Sequence, residues 1–300
     1  MMHHHTHHHH HHAPASLSAV FIVCITLNMA FVLVEAGVGF MYHSLGLLSD
    51  ASHNLSDVFS LLLSFFAIQM AKRHSNRHFT YGYKKSTILA SLINALVLLV
   101  VVGAILVESI YKLRNPVDIS GEAISWTAGI GILINGATAW LLMKNQKYDL
   151  NVKGAFLHMA MDTLVSVGVV ISGIIISVTG FVMIDAFISL AIAAIILFST
   201  WGLLKESLYL SIDAVPSDID QDKIEKALSE VPGIYSWHHL HIWAVSTTEN
   251  AATLHVVLKD ISEMEKIKHL LKEVLHHNNI QHITIECETK ESSCKEINCC

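Results

Sequence analysis

The chain has 300 residues, of which 52% are hydrophobic and only 15% charged, with a mean hydropathy of +0.49. A soluble globular protein carries roughly 25% charged residues, so a wholly soluble chain is excluded, and a net charge of −6 with a pI near 6.4 argues against nucleic acid as a partner. The 22 histidines outnumber the 19 lysines and arginines, an excess that no core requires and that points to metal.

Residues 1–16 form an arm with the runs His3–His5 and His7–His12. A run of six is how purification tags are built, whereas the interrupting Thr6 and the separate first run favour a native metal-collecting arm. No basic region precedes an apolar stretch with a small-residue cleavage site, so no removable signal peptide is expected. Six apolar stretches then meet the roughly 20 residues that a membrane span needs: Leu17–Met41, Ser44–Met70, Thr87–Val107, Ala123–Met143, Val152–Val178 and Phe181–Leu204. The turn at Thr179-Gly180 between the last two is very tight.

Lysine and arginine are retained in cytoplasmic loops. The second connection carries Lys72, Arg73, Arg77, Lys84 and Lys85, the fourth Lys144 and Lys147, and Lys205 follows the last span. The odd-numbered connections carry only Lys112 and Arg114, which predicts cytoplasmic N- and C-termini. After Pro216 the pattern is that of a soluble domain of about 75 residues. A helix is predicted over Asp220–Val231, strands over Gly233–Ser246 and Ala251–Lys259, a helix over Glu263–His277 and a strand over Ile280–Glu288. The expected organisation is an arm (1–16), an all-α bundle of six transmembrane helices (17–208), an α-β-β-α-β domain (209–290) and a Cys-rich tail (291–300). A domain this small gains stability from a dimer partner.

Ionisable groups inside a membrane are costly and face the bundle interior or a pathway. The second span contains Asp50, His53 and Asp57, and the fifth His158 and Asp162. His53/Asp57 and His158/Asp162 are both His-x3-Asp, and residues four apart share a helix face. Two such helices meeting would offer two imidazole nitrogens and two carboxylate oxygens, a donor set that suits tetrahedral Zn2+. Gly46, Asp50, His53, Asp57, Ser60 and Ser64 make a polar stripe on one span, and Gly154, His158, Asp162 and Ser166 on the other. The competing reading is a His-Asp hydrogen bond within each helix, which two copies in separate spans weaken. Glu35, Asp50 and Asp185 lack a histidine partner; structural bonding to Asn28, Asn94 or Asn135 is the expectation.

The segment Ser44-Leu-Gly-Leu-Leu-Ser-Asp-Ala-Ser-His-Asn-Leu-Ser-Asp57, with Leu157-His-Met-Ala-Met-Asp162, resembles the paired motifs of the cation diffusion facilitator family of zinc transporters. Asn28 and Glu35, Tyr81-Gly-Tyr83, Leu203-Leu-Lys-Glu-Ser207 and His239-Leu-His-Ile-Trp243 match as well, and the likeness runs over most of Leu17–Glu288. The resemblance implies a homodimeric exporter with a cytoplasmic metallochaperone-like domain and a transport site of His53, Asp57, His158 and Asp162. A His-Asp pair on each helix goes with zinc in that family, with cadmium or cobalt often tolerated. It also implies a regulatory zinc site at His241, His255 and Glu288, completed in some members by a thiol tail, here Cys294, Cys299 and Cys300, while Cys287 is assigned to the core. Family members place a metal-binding histidine after the Tyr-Gly-aromatic turn, where this chain has Lys84 and Lys85. His74 and His78 in the same loop are a substitute site, or part of a solvated basic loop. His282 shares a strand face with Glu288 and is a further weak candidate.

The expected function is export of Zn2+, and possibly Cd2+ or Co2+, from the cytoplasm in exchange for protons, in a compact chain of bacterial inner-membrane type. Histidine and aspartate bind metal only when deprotonated, so protons compete for the same lone pairs. The alternative is a membrane-tethered zinc sensor or buffer, which would have no use for buried ligands at mid-membrane depth. No Gly-x4-Gly-Lys-Ser/Thr loop or His-Glu-x-x-His helix is present, so neither an ATP-driven pump of that type nor a metallohydrolase is expected.

Overall fold

The computed structural model describes residues 15–41, 45–114, 121–181 and 183–291, apart from the side chains of 15–16, 39, 45–50, 52–53, 56, 112, 121–128, 169, 173, 177 and 185. The His-rich arm before residue 15 and the tail thiols Cys294, Cys299 and Cys300 therefore lie outside the described residues.

All six apolar stretches are helices: α1 (Ala15–Met41), α2 (Leu45–Ala71), α3 (Lys85–Arg114), α4 (Gly121–Met143), α5 (Leu150–Thr179) and α6 (Ile184–Ser211). In hydrocarbon every backbone polar group must be satisfied within the segment, which leaves the helix as the local solution for such runs. Among the described residues, Leu17–Val38, Lys85–Tyr111, Leu150–Ile176 and Ala186–Ser211 are long and apolar enough to cross a membrane. Shorter apolar stretches, Asp57–Ala71 and Gly129–Met143, lie in α2 and α4. Helices α3 and α6 run past the expected spans because hydropathy marks only the part inside lipid, while helical hydrogen bonding continues into polar residues.

Packing divides the chain into two units, the first comprising the described parts of 1–66, 98–147 and 152–199. Within it α1 packs on α4, and Asn28 Nδ2 donates both to Cys24 O (2.9 Å) and to Thr138 Oγ1 (3.0 Å). Large apolar side chains such as Leu33, Phe59, Phe66 and Phe198 point outward, as they do when lipid is the solvent. At Gly168 of α5 the backbone meets α6 closely: a Cβ there would lie 2.5 Å from Ile192 Cδ1 and 3.0 Å from Ile188 Cγ2. The tight turn after α5 has Gly180 at φ 70°, with its N–H donating to Ile176 O at 2.8 Å, the left-handed stop that glycine adopts without Cβ strain.

The second unit comprises the described parts of 67–97, 148–151 and 200–300. It contains the soluble domain, with the expected order: α7 (Gln221–Ser229), β1 (Ile234–Ala244), β2 (Asn250–Leu258), a 3-10 turn (Ile261–Glu263), α8 (Met264–His277) and β3 (His282–Glu288). The sheet order is β1-β2-β3, with β1 antiparallel and β3 parallel to β2. Asp220 caps α7 by accepting from the Lys223 N–H, and Asp260 caps the 3-10 turn through the Ser262 N–H. Ile224 and Leu228 of α7 and Ile267, Leu271 and Leu275 of α8 bury against Ala252, Leu254 and Val256 of β2. Ile283, Ile285 and Cys287 of β3 pack on the same core, which leaves His255, Glu286 and Glu288 on the opposite face.

Candidate metal centres

On α2, Asp57, Ser60 and Ser64 are buried while Leu55, Phe59 and Phe66 are exposed, so the described part of the polar stripe faces inward. On α5, His158 and Asp162 are buried one turn apart. The two helices bring Asp57 (1% exposed), His158 (2%) and Asp162 (7%) together, with one ligand atom from each lying within 4.8 Å of the others. His158 Nε2 is 2.6 Å from Asp57 Oδ1 and 3.8 Å from Asp162 Oδ2. The shorter of these contacts joins the imidazole to Asp57 across the two helices, from α5 to α2, and the longer is the intrahelical one to Asp162. His53 stands on α2 one turn before Asp57, but its side chain lies outside the described residues, as do those of Asp50 and Asp185. Glu35 accepts from Asn54 Nδ2 at 2.7 Å, a partner other than the three asparagines expected.

A second group of donors sits on the open face of the soluble sheet. His255 Nδ1 is 2.8 Å from Glu288 Oε1, His255 Nε2 is 3.5 Å from Glu286 Oε2, and His238 Nε2 is 3.5 Å from Glu288 Oε1. His239 joins them, with its ring centroid 4.8 Å from that of His238 and 5.0 Å from that of His255. His241 lies on the same open face, since it pairs with Thr253 two residues from His255, but the structure does not bring it into this donor group. Simple alternation would place His239, His241 and Trp243 on one face, but the ladder pairs His238 with His255 and His241 with Thr253, with a register shift between. One extra residue on β1 makes a bulge, with His239 at φ 52°. The bulge turns His238 and His239 toward His255, while His241 is exposed and belongs to none of the donor groups among the described residues. The doublet His238-His239 was the sequence signal for these ligands; nothing local marks the bulge.

His282 lies at the other end of β3, where Nε2 is 3.1 Å from Glu249 Oε2, which also pairs with Lys84 Nζ. Burial alone would raise the Glu249 carboxyl, but hydrogen bonds from Lys84 and His282 and their charge hold it below its ordinary range. His74 and His78 are exposed in the loop after α2, where Asn76 Oδ1 accepts from the His78 and Phe79 N–H groups. Neither belongs to a donor group of three among the described residues. Cys287 packs on the core and burial pushes its thiol up, away from the thiolate that binds metal.

Both clusters combine imidazole with carboxylate at mutual distances that one small cation bridges, and this donor chemistry fits Zn2+ better than harder ions.

A family profile described as "Cation efflux transmembrane domain" matches residues 21–210, and another, "Cation efflux protein, cytoplasmic domain", matches 216–290. The "Cadmium, cobalt and zinc/H(+)-K(+) antiporter" of Bacillus subtilis (strain 168) is 34% identical over 276 residues, 90% of this chain and 89% of that protein. The "Metal cation efflux system protein CzcD" of Cupriavidus metallidurans is 38% identical over 269 residues, covering 89% of this chain and 85% of that one. The "Zinc transporter ZitB" of Escherichia coli (strain K12) is 34% identical over 264 residues, covering 86% and 83%. With a six-helix membrane bundle, a small α+β domain and matches along both, the chain belongs to the cation diffusion facilitator family of metal-cation efflux transporters.

Proposed function

We propose that the protein exports Zn2+ from the cytoplasm in exchange for protons, with Cd2+ and Co2+ as further substrates. The observation that carries this reading is the buried Asp57–His158–Asp162 group between α2 and α5; His53, one turn before Asp57 in the sequence, is the fourth ligand of the proposal. Histidine and aspartate ligands bind metal only after losing their protons. A proton shared between His158 Nε2 and Asp57 Oδ1 would occupy the position a cation takes, so loading of metal and release of protons are one competition. Facing the cytoplasm the site exchanges protons for zinc; facing the other side, protons displace zinc. The relatives' names, which include cadmium, cobalt, zinc and H(+), support this cargo and counter-ion.

In this reading the arm (1–16) collects metal, residues 17–208 transport it, and 209–290 form a cytoplasmic regulatory and dimerising domain. The protein is a homodimer in a bacterial inner membrane with both termini cytoplasmic. The regulatory metal is held by His238, His255 and Glu288, with His239 and Glu286 beside them and the thiols of 291–300 as additional donors; a zinc there fixes β1, β2 and β3 against one another. Purified protein in proteoliposomes under an imposed pH gradient provides the test. Zinc flux that follows the gradient and is lost in Asp57→Ala and Asp162→Ala is expected. Undiminished flux in either variant overturns the site, and zinc binding without flux in the wild type leaves the sensor alternative.

A further inference from the structure

The soluble domain's turn between β1 and β2 reaches the starts of two of the long helices. The Thr247 N–H donates to Thr87 Oγ1 (3.1 Å) in the first turn of α3, and Thr247 Oγ1 donates to Asp149 Oδ2 (3.3 Å) just before α5. Asp149 Oδ1 in turn accepts from the Asn151 N–H (2.7 Å), capping α5, and Asn151 Nδ2 donates to Thr87 O (3.0 Å). Asn151 is fully buried and Thr87 nearly so, which shields the bond between them from water, while the bonds of Thr247 and Asp149 are half-buried. Beside them Glu249 of the same turn binds Lys84 and His282. The helix that begins at this junction carries His158 about two turns and Asp162 about three turns further on.

From this junction we infer that Thr247, Thr87 and Asp149 are positioning residues for transport, through which the β1–β2 turn fixes the start of the helix bearing His158 and Asp162. The inference rests on the transport reading of those two ligands. The bond to Asp149 depends on the Thr247 side chain: serine at 247 retains the hydroxyl donor, while valine keeps the shape and removes it, leaving the backbone bond to Thr87 in place. A ligand helix whose first turn is tethered changes orientation only together with the soluble domain, so loss of the tether alters turnover more than zinc affinity.

Full-length Thr247→Val and Thr247→Ser proteins in proteoliposomes test this, alongside amide hydrogen exchange of the same preparations. Thr247→Val is expected to lower maximal zinc flux by about fivefold, the effect of one half-buried hydrogen bond of about 1 kcal/mol, with the zinc KM within about twofold of wild type. Thr247→Ser restores the flux. Exchange at residues 150–156 rises in Thr247→Val while the strands 234–244 and 250–258 stay protected, which excludes general unfolding. Unchanged exchange at 150–156, wild-type flux in Thr247→Val, or equal losses in the valine and serine variants each overturn the positioning role. A wild type that carries no zinc overturns the transport reading alone, because the exchange measurement does not use flux.

Discussion

His158 of α5 and Asp57 of α2, 101 positions apart in sequence, meet at 2.6 Å with both side chains buried. A carboxylate in that setting is tolerated only with a partner, so the pair is a structural tie between the two helices.

Removing one member deprives the other, still buried, of this contact, and leaving a buried hydrogen-bonding group unsatisfied costs about 1–3 kcal/mol. Asp57→Ala and His158→Ala should each lower the melting temperature of the detergent-solubilised protein in the absence of metal. The double variant should lose less than the sum of the two, because the shared contact can be lost only once. Additive losses in thermal melts would place the two residues in separate interactions.

At the soluble cluster, His255→Ala is expected to weaken zinc binding by at least about tenfold, the loss that even an outer-shell partner causes. His241→Ala, on the far side of the bulge, is expected to leave it unchanged. Calorimetric zinc titration in an Asp162→Ala background isolates this cluster. Equal losses from both substitutions would return His241 to the ligand set.

The Glu249 carboxyl is held below its ordinary range once the hydrogen bonds and charge of Lys84 and His282 outweigh its burial. A depressed carboxylate stabilises the fold above the unfolded glutamate value, about 4.3, and that contribution disappears as pH falls through the lower folded value. The side chain is 36% exposed and solvent screening keeps the contribution below about 1 kcal/mol. Melts between pH 3 and 7 should show a shallower acid limb in Glu249→Gln than in wild type, and superimposable curves would refute the assignment.

Gly168 of α5 sits where a Cβ would meet Ile192 Cδ1 at 2.5 Å and Ile188 Cγ2 at 3.0 Å. The end of Ile192 can rotate away, whereas Ile188 Cγ2 is fixed at its branch point. Gly168→Ala is therefore expected to cost about 1 kcal/mol and Gly168→Val up to about 3 kcal/mol, the range for overpacking. Ile192→Ala should recover part of the loss in the Gly168→Ala protein, as read by thermal melts; a Gly168→Val protein as stable as wild type would show that α5 and α6 do not meet there.

The six helices were legible because each apolar run is long enough to be decisive, and the soluble domain because α7, α8 and the strands keep their periods. Asp57, His158 and Asp162 were legible for a related reason: four-residue spacing fixes a helix face, and a charge in lipid has few uses. Strand spacing proved less informative at the soluble cluster. Alternation there assumes an unbroken ladder, and a single inserted residue between His238 and His241 shifts every later side chain on β1. No glycine or proline marks the insertion, and His239 adopts positive φ in place of one. The contacts of Thr247 with Thr87 and Asp149, separated by 160 and 98 positions, were equally invisible, since nothing local in three polar residues specifies a partner so distant.

Strand β3 carries Glu288 at one end and His282 at the other, seven residues that span about 20 Å when extended. Its parallel pairing with β2 sets Glu288 beside the metal donors and His282 beside Glu249 and Lys84. An extended chain has almost no slack, so the strand itself fixes the distance between the donors around Glu288 and the Glu249–Lys84 contact at His282. No flexible linker stands between the two groups of side chains.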